Sequence, residues 1–308
     1  MTTHSMAIPA PTRRPGERGA LFPGYDRIMD RAHECLSRKL FFVAGCQKSG
    51  TTWVERLLNG HPEMICRGEA RFTDMLLHPL AKTTEMYSLE QKVGPQGQFS
   101  RDQFLALYAN AIGMILSNWI GDESAPPLIG EKTPQNALAL HYLGEVFPTA
   151  RFIHIIRDGR DGAVSGWFHN LSKDNPAFRE TFPTFADYVR YFARTHWVRY
   201  IETARKFGRA DPDRYLEVRY EELHADQRAV TRVMLEFLAA DASDESVDSC
   251  LQAGAFERLS GGRQRGQEDS RSHFRKGVIG DWRDHFDDAA IAAYMEVAGP
   301  LASELGYI

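Results

Sequence analysis

The sequence predicts an α/β fold, a single three-layer α/β/α domain around a central parallel β-sheet. Three observations lead there. The apolar run Phe41-Phe42-Val43-Ala44 breaks at Gly45 into a short polar loop, and an amphipathic segment follows from about Thr51. A second apolar run, Phe152 to Ile156, stops in charge at Arg157. Strand and helix patterns alternate along 308 residues, a length that fits one large α/β domain or two small ones. Polar motifs at strand ends favour one parallel sheet, because such sheets bind ligands at the carboxyl ends of their strands.

Residues 1–24 carry Pro9, Pro11 and Pro15 and no apolar period, so a disordered tail is expected ahead of a domain covering residues 25–308. The tail lacks the apolar core of a signal peptide, and no stretch is long enough to cross a membrane. Cys35, Cys46, Cys66 and Cys250 fall at irregular spacings, which reads as free thiols in a reducing, cytoplasmic setting. The formal net charge of −4 argues against a general nucleic-acid binder. No His/Cys cluster has metal-ligand spacing, so no metal is expected.

The first strand–loop–helix unit carries the most information. Backbone N–H groups at a helix start converge on an anion, so the stretch from Gly45 to Gly50 reads as a phosphate cradle. A nucleoside-triphosphate loop of the form G-x-x-x-x-G-K-[ST] places its Lys after the second glycine, next to a magnesium-binding hydroxyl. Gly45 and Gly50 keep that spacing, but Thr51 stands where the Lys belongs and the cation sits inside the loop as Lys48. The Thr51 and Thr52 hydroxyls, the amides and one cation are all present in a different order. That suits a phosphate ester whose terminal group carries less charge than a γ-phosphate and needs no metal. The second strand ends in Arg157, Asp158, Arg160 and Asp161, with Ser165 beyond. A Walker-type ATPase would close such a strand with a metal-binding acid. A cation there implies a second anion instead. Arg160 with Asp158 or Asp161 reads as a surface salt-bridge cluster.

Lys48-Ser49-Gly50-Thr51-Thr52-Trp53 resembles the 5′-phosphosulfate loop of the sulfotransferases that use 3′-phosphoadenosine 5′-phosphosulfate (PAPS), with Gln47 where those enzymes usually have Pro. The R-D-x-R-D…S segment is similar to their 3′-phosphate site. Arg275-Lys276-Gly277-Val278-Ile279-Gly280-Asp281-Trp282 resembles their R-K-G-x-x-G-D-W signature, and the three motifs keep family order over residues 41–286. The resemblance implies a P-loop-like fold and metal-free transfer of the sulfuryl group from PAPS to a hydroxyl or amine, releasing adenosine 3′,5′-bisphosphate. It implies 5′-side contacts from Lys48, Ser49, Gly50, Thr51 and Thr52, and purine stacking on Trp53. Arg157 and Ser165 would hold the 3′-phosphate, Tyr220 would meet the adenine, and Arg275 with the backbone of Lys276 and Gly277 would close the clamp. The polar, Gly-rich residues 261–273 beside that clamp are expected to belong to a mobile lid, about 259–276.

Sulfuryl transfer needs a base for the acceptor's proton and a charge to stabilise the departing oxygen. Lys48 is placed for the second role. The family's cytosolic branch carries K-T-H, with the His as base, in the strand before the 3′-phosphate motif. Gly130-Glu131-Lys132-Thr133-Pro134 looks instead like the K-[ST]-P of carbohydrate and many bacterial sulfotransferases, whose base is a Glu after the second strand. That implies Glu69 as base, with Lys132 helping to hold the sulfuryl group. The competing reading pairs Glu69 with Arg67 or Arg71, which would lower its pKa and weaken it as a base. His61, His78 and His169 are reserves, and His154 reads as a satisfied core residue. The acceptor is a small molecule, sugar, lipid or peptide, expected to meet residues 73–125 and 170–205. The first stretch holds a loop from Gly94 to Gln98 and a helical pattern from Phe104 to Trp119. In the second, Tyr188, Tyr191, Phe192, His196, Trp197 and Tyr200 recur at helical spacing and read more as core than as pocket. Nothing after Trp282 matches the cytosolic branch's dimer motif K-x-x-x-T-V-x-x-x-E. Two rivals are a P-loop kinase using ATP and magnesium, and a non-catalytic PAPS-binding protein. The missing post-glycine Lys and Arg157 oppose the first, and the presence of Lys48 and Glu69 opposes the second.

Overall fold

Five strands, most of their residues buried, pair in one all-parallel sheet of order β2-β3-β1-β4-β5. The computed structural model describes residues 22–90, 99–121, 124–173, 175–269, 272 and 274–308. In chain order the elements are α1 (Tyr25–Leu36), β1 (Lys39–Gly45), α2 (Thr51–Leu58), β2 (Met64–Gly68), α3 (His78–Glu90), α4 (Arg101–Ile120), β3 (Leu128–Lys132), α5 (Leu140–Val146) and β4 (Arg151–Ile156). There follow α6 (Gly159–Leu171), α7 (Pro176–Thr181), α8 (Phe185–Phe192), α9 (Arg199–Ala210), β5 (Tyr215–Arg219), α10 (Tyr220–Ala225), α11 (Gln227–Phe237), α12 (Asp244–Ala253), α13 (Phe256–Leu259) and α14 (Asp288–Glu304). Phe72–Leu77 and Ala193–Val198 are π-helical stretches. Of the expected N-terminal tail only residues 22–24 are described, and the loop from Gly94 to Gln98 lies outside the described residues.

The pleat of β1 explains the three layers. Successive side chains point to opposite faces, so Phe41 and Val43 join one core while Phe42 and Ala44 join the other. The Phe41 core packs under α2, α10, α11 and α12 through residues such as Leu57, Leu223, Leu235 and Val247. The Phe42 core is covered by α1, α4, α5, α8, α9 and α14, with Phe42 stacked on Phe152 at 5.6 Å. Helices on both faces are why the strands read as unbroken apolar runs. Gly130 in β3 leaves room for the Phe41 ring, which a Cβ there would meet at 2.1 Å.

The helical pattern from Phe104 to Trp119 is α4, opened by a capping box in which Ser100 and Gln103 satisfy each other's backbone amides. No helix among the described residues is long and apolar enough to cross a membrane. All four cysteines are buried free thiols. The chain leaves β1 toward β2 on one side of the sheet and later crosses to β4 on the other. The carboxyl ends of β1 and β4 therefore flank the topological switch point, where open α/β sheets bind ligands.

Candidate functional site

The loop after β1 is shaped by close approach. A Cβ on Gly45 would sit 2.6 Å from Ser49 Oγ and 2.7 Å from the Ile155 carbonyl of the neighbouring strand. The loop then takes two left-handed residues, Lys48 at φ 68° and Gly50 at φ 102°. At Gly50 a side chain would strike the Tyr220 ring at 2.7 Å, so glycine is needed for both space and conformation. Trp53 N and Val54 N donate to Gly50 O at 2.9 and 3.2 Å and start α2. The first turn of a helix leaves amides without intrahelical partners. Thr51 and Thr52, at that turn, line a cleft of about 620 Å³ together with Lys48, Glu69, Arg157 and Ser165. Burial pulls the Lys48 ammonium down to about 8, and the charge of Lys173 adds to the effect while Glu69 opposes it.

The second cation stands where β4 ends. The Arg157 guanidinium lies 4.3 Å from the Tyr220 ring centroid and donates to Val278 O at 2.9 Å and to Lys48 O at 3.4 Å. It thereby ties the Lys48 loop to the C-terminal signature. Asp161, 3.6 Å from Arg157, is buried and accepts Gly280 N at 2.8 Å and Trp282 N at 3.0 Å, which fixes that signature against α6. Arg160 pairs with Asp158 at 2.7 Å and stacks 3.9 Å over Trp282. The expected surface cluster is therefore a buried one, because Asp158 and Asp161 both serve as acceptors inside the fold. Arg275 is held by Glu268 at 2.7 Å and by Asp281, and Lys276 Nζ reaches Asp281 at 2.5 Å.

Arg157 Nε, Arg275 Nε and Ser49 Oγ are buried with no hydrogen-bond partner among the described residues. Buried donors are rarely left so, and an anion in the cleft is the partner that suits the two arginines that line it. Trp53 and Tyr220 are both buried yet both on the cleft wall, with ring centroids 5.4 Å apart. Trp53 Nε1 is anchored on Gly254 O at 2.9 Å. Arg265 lies over the Trp53 ring at 4.9 Å and donates to Gly277 O at 3.0 Å. The described part of the expected lid is folded on itself, with Arg263 donating to the Phe274, Arg275 and Gln267 carbonyls. Residues 270, 271 and 273 of that segment lie outside the described residues.

Glu69 follows β2 and meets neither arginine. Its Oε1 accepts Lys132 Nζ at 2.9 Å, while Arg71 is engaged by Asp74. The expected alternative pairing is thus replaced by one with Lys132, because β2 and β3 run in register and Gly68 lies opposite Lys132. Lys132 is almost fully buried, has Glu55 at 3.5 Å as a second partner and does not line the cleft. Ser49 also lies behind the cleft wall. Of the reserve histidines, His61 is buried on Asp241 O and His78 donates to Thr73 O, both away from the cleft. His169 lines it. His154 is only half satisfied. Nδ1 meets Tyr215 Oη at 2.6 Å, Nε2 has no partner, and burial pulls the imidazole down to about 4.

The far wall departs from expectation. Tyr188, Tyr191, Phe192 and His196 line the cleft, joined by Phe178 and Phe182, while Trp197 and Tyr200 stay in the core. No described residue of 73–125 reaches it, since α4 spends its buried face on α1 and the sheet. Helical spacing could not separate these cases, because a cleft wall and a core use the same aromatic residues. The π-helical turn at Ala193–Val198, a distortion often found at functional sites, is invisible in the periodicity. Among the described residues no group of three or more His, Cys, Asp or Glu is placed to hold a metal ion.

Residues 41–244 match the model of the Sulfotransferase family. The chain is 30% identical over 123 residues to protein-tyrosine sulfotransferase A of Caenorhabditis elegans, covering 39% of this chain and 30% of that protein. It is 27% identical over 205 residues to 3-alpha-hydroxysteroid sulfotransferase of Cavia porcellus, covering 59% of this chain and 68% of that protein. Of two curated relatives, from Aquifex aeolicus and C. elegans, the chain spans only 26% and 30% of the length. Its fold is similar to that of a mouse sulfotransferase solved in complex with PAP, with a TM-score of 0.55, 17% identity and 90% of each chain covered.

Proposed function

This chain belongs to the sulfotransferase family, and we propose that it moves the sulfuryl group of PAPS to a hydroxyl or amine acceptor, without a metal, releasing adenosine 3′,5′-bisphosphate. One observation carries the reading. Two cationic subsites, at Lys48 and at Arg157, are joined directly through the Lys48 carbonyl, with Trp53 and Tyr220 beside them on one cleft wall. A nucleotide with anions at both the 5′ and 3′ positions matches that spacing of functions. A nucleoside triphosphate would instead call for a Lys after Gly50 and an acid after β4, and Thr51 and Arg157 stand there.

The residues divide the chemistry between them. The Lys48 loop and the start of α2 hold the 5′ side, and Arg157, Ser165 and the backbone of Lys276 and Gly277 hold the 3′-phosphate. Glu69 takes the acceptor's proton as a new bond forms from the acceptor atom to sulfur. The bond from sulfur to the bridging oxygen breaks in line, and Lys48 stabilises the charge left on that oxygen. Lys132 acts from behind, holding the Glu69 carboxylate at 2.9 Å. The aromatic wall of Phe178, Phe182, Tyr188, Tyr191 and Phe192 suits an acceptor with a flat apolar body, whether a small molecule or part of a sugar, lipid or peptide. Four buried free thiols support a reducing, cytoplasmic setting.

Calorimetry tests the nucleotide part. Adenosine 3′,5′-bisphosphate is expected to bind without metal, and ATP with magnesium to bind far more weakly. Arg157→Ala is expected to weaken bisphosphate binding by about 10- to 100-fold, the range of roughly 1.5–3 kcal/mol for hydrogen bonds to charged groups. Undiminished affinity in that variant would move the 3′-phosphate elsewhere.

A further inference from the structure

Glu131, at the end of β3, is 1% exposed and does not line the cleft, yet its carboxylate is the hub of a polar network. Its Oε1 accepts Thr133 Oγ1 and Ala70 N, the latter at 3.1 Å, and its Oε2 accepts Asn136 Nδ2 at 2.6 Å. Thr133 Oγ1 in turn accepts Arg71 N at 3.2 Å. Ala70 and Arg71 are the two residues that follow Glu69. Arg71 sits at φ 53°, a left-handed conformation that a non-glycine residue avoids unless its surroundings impose it. Arg71 N is held there by Thr133 Oγ1, and the neighbouring Ala70 N by Glu131. On the other side of Glu69, Gly68 is seated so closely on β3 that a Cβ would come 2.6 Å from Lys132 Cε.

We propose that Glu131 is a positioning residue for the base: through Ala70 N directly, and Arg71 N by way of Thr133, it sets where the Glu69 carboxylate stands. The inference rests on Glu69 acting as the base. Burial pushes the Glu131 carboxyl up to about 7, against the bonds from Thr133, Asn136 and Ala70. An acid held there is costly unless its bonds are needed. Packing alone would be served by an apolar residue, which could accept nothing from Ala70 N, Thr133 or Asn136.

The test uses the full chain with saturating PAPS and naphthol as the probe acceptor. Glu131→Ala is expected to lower kcat by about 30- to 100-fold, the scale of a misplacement near 1 Å, while the Kd for adenosine 3′,5′-bisphosphate stays within about twofold, the margin left by contacts Glu131 does not make. In a Glu69→Gln background the same change should cost nothing further, because it acts through that carboxylate. Glu131→Gln should restore most of kcat, since the unpartnered Asn136 Oδ1 can turn to meet the new amide. If Glu131→Ala fails to fold, Thr133→Val keeps the shape, removes the bridge to Arg71 N and should lower kcat by about 5- to 10-fold, the range for one lost hydrogen bond.

Hydrogen exchange reads the same point without an acceptor. The peptide from Glu69 to Phe72 should exchange faster in Glu131→Ala, and the loop from Lys48 to Trp53 should not. Unchanged kcat and exchange, a loss additive with Glu69→Gln, or a joint fall in kcat and bisphosphate affinity would overturn the positioning role alone. Full turnover in Glu69→Gln itself would instead remove the base assignment and this inference with it.

Discussion

Replacing Glu69 by Gln is expected to lower turnover by about 10²- to 10⁴-fold, the usual worth of a positioned general base. Affinity for adenosine 3′,5′-bisphosphate should be unchanged, because the hydrogen-bond and ion-pair partner of Glu69 is Lys132 and not Lys48 or Arg157. Stability should barely move. The Glu69 side chain is 52% exposed, and its pair with Lys132 is worth no more than about 1 kcal/mol on that account. Lys132 keeps Glu55 as a partner in the variant, so no buried charge is stranded. Steady-state kinetics with calorimetry separates the two effects. Retained turnover would transfer the role to His169 or His196, the histidines among the cleft-lining residues.

Replacing Lys48 by Ala is expected to lower kcat by about 10²- to 10³-fold, as for loss of one preorganised group that stabilises developing charge. The ground-state loss in nucleotide affinity should be smaller, since the loop amides and Arg157 remain. The protonation of Lys48 adds a pH signature. Its ammonium is pulled down to about 8 by burial and by Lys173. Only the charged form can stabilise the leaving oxygen, so kcat/KM should fall as pH rises through about 8. In Lys48→Arg, whose guanidinium stays charged, that fall should disappear. Stability runs the other way. The folded state binds fewer protons than the unfolded chain between about 8 and the ordinary lysine value, so this group's contribution rises with pH across that window. Activity and stability measured side by side from pH 7 to 10 should diverge, and parallel loss of both would refute the assignment.

What could be read in the sequence was whatever is local. Phe41 to Ala44 and Phe152 to Ile156 are buried on both faces, so they announced themselves as apolar runs and became β1 and β4. Lys48, Thr51, Arg157 and Ser165 lie within nine residues of those strand ends, on the loops and helices that follow them into one cleft. The partner of Glu69 was not local. Lys132 comes from a strand about sixty residues away, brought opposite Gly68 by parallel register, whereas the sequence alone offers only nearby Arg67 and Arg71 as partners. The acceptor wall failed for a different reason. Tyr188, Tyr191 and Phe192 repeat as core residues do, and only tertiary packing decides which of them face a cleft. Glu131 lies beside the K-T-P segment, but its role is not legible there, because it depends on two amides from another strand's turn.

The central claim is that one cleft holds a doubly anionic nucleotide and passes on its sulfuryl group. It is tested most directly by incubating the chain with PAPS labelled at sulfur, a panel of phenol, alcohol and amine acceptors, and a chelator. Label should move to at least one acceptor as adenosine 3′,5′-bisphosphate appears in equal amount. Phosphoryl transfer that requires ATP and magnesium, with no movement of labelled sulfur, would contradict it.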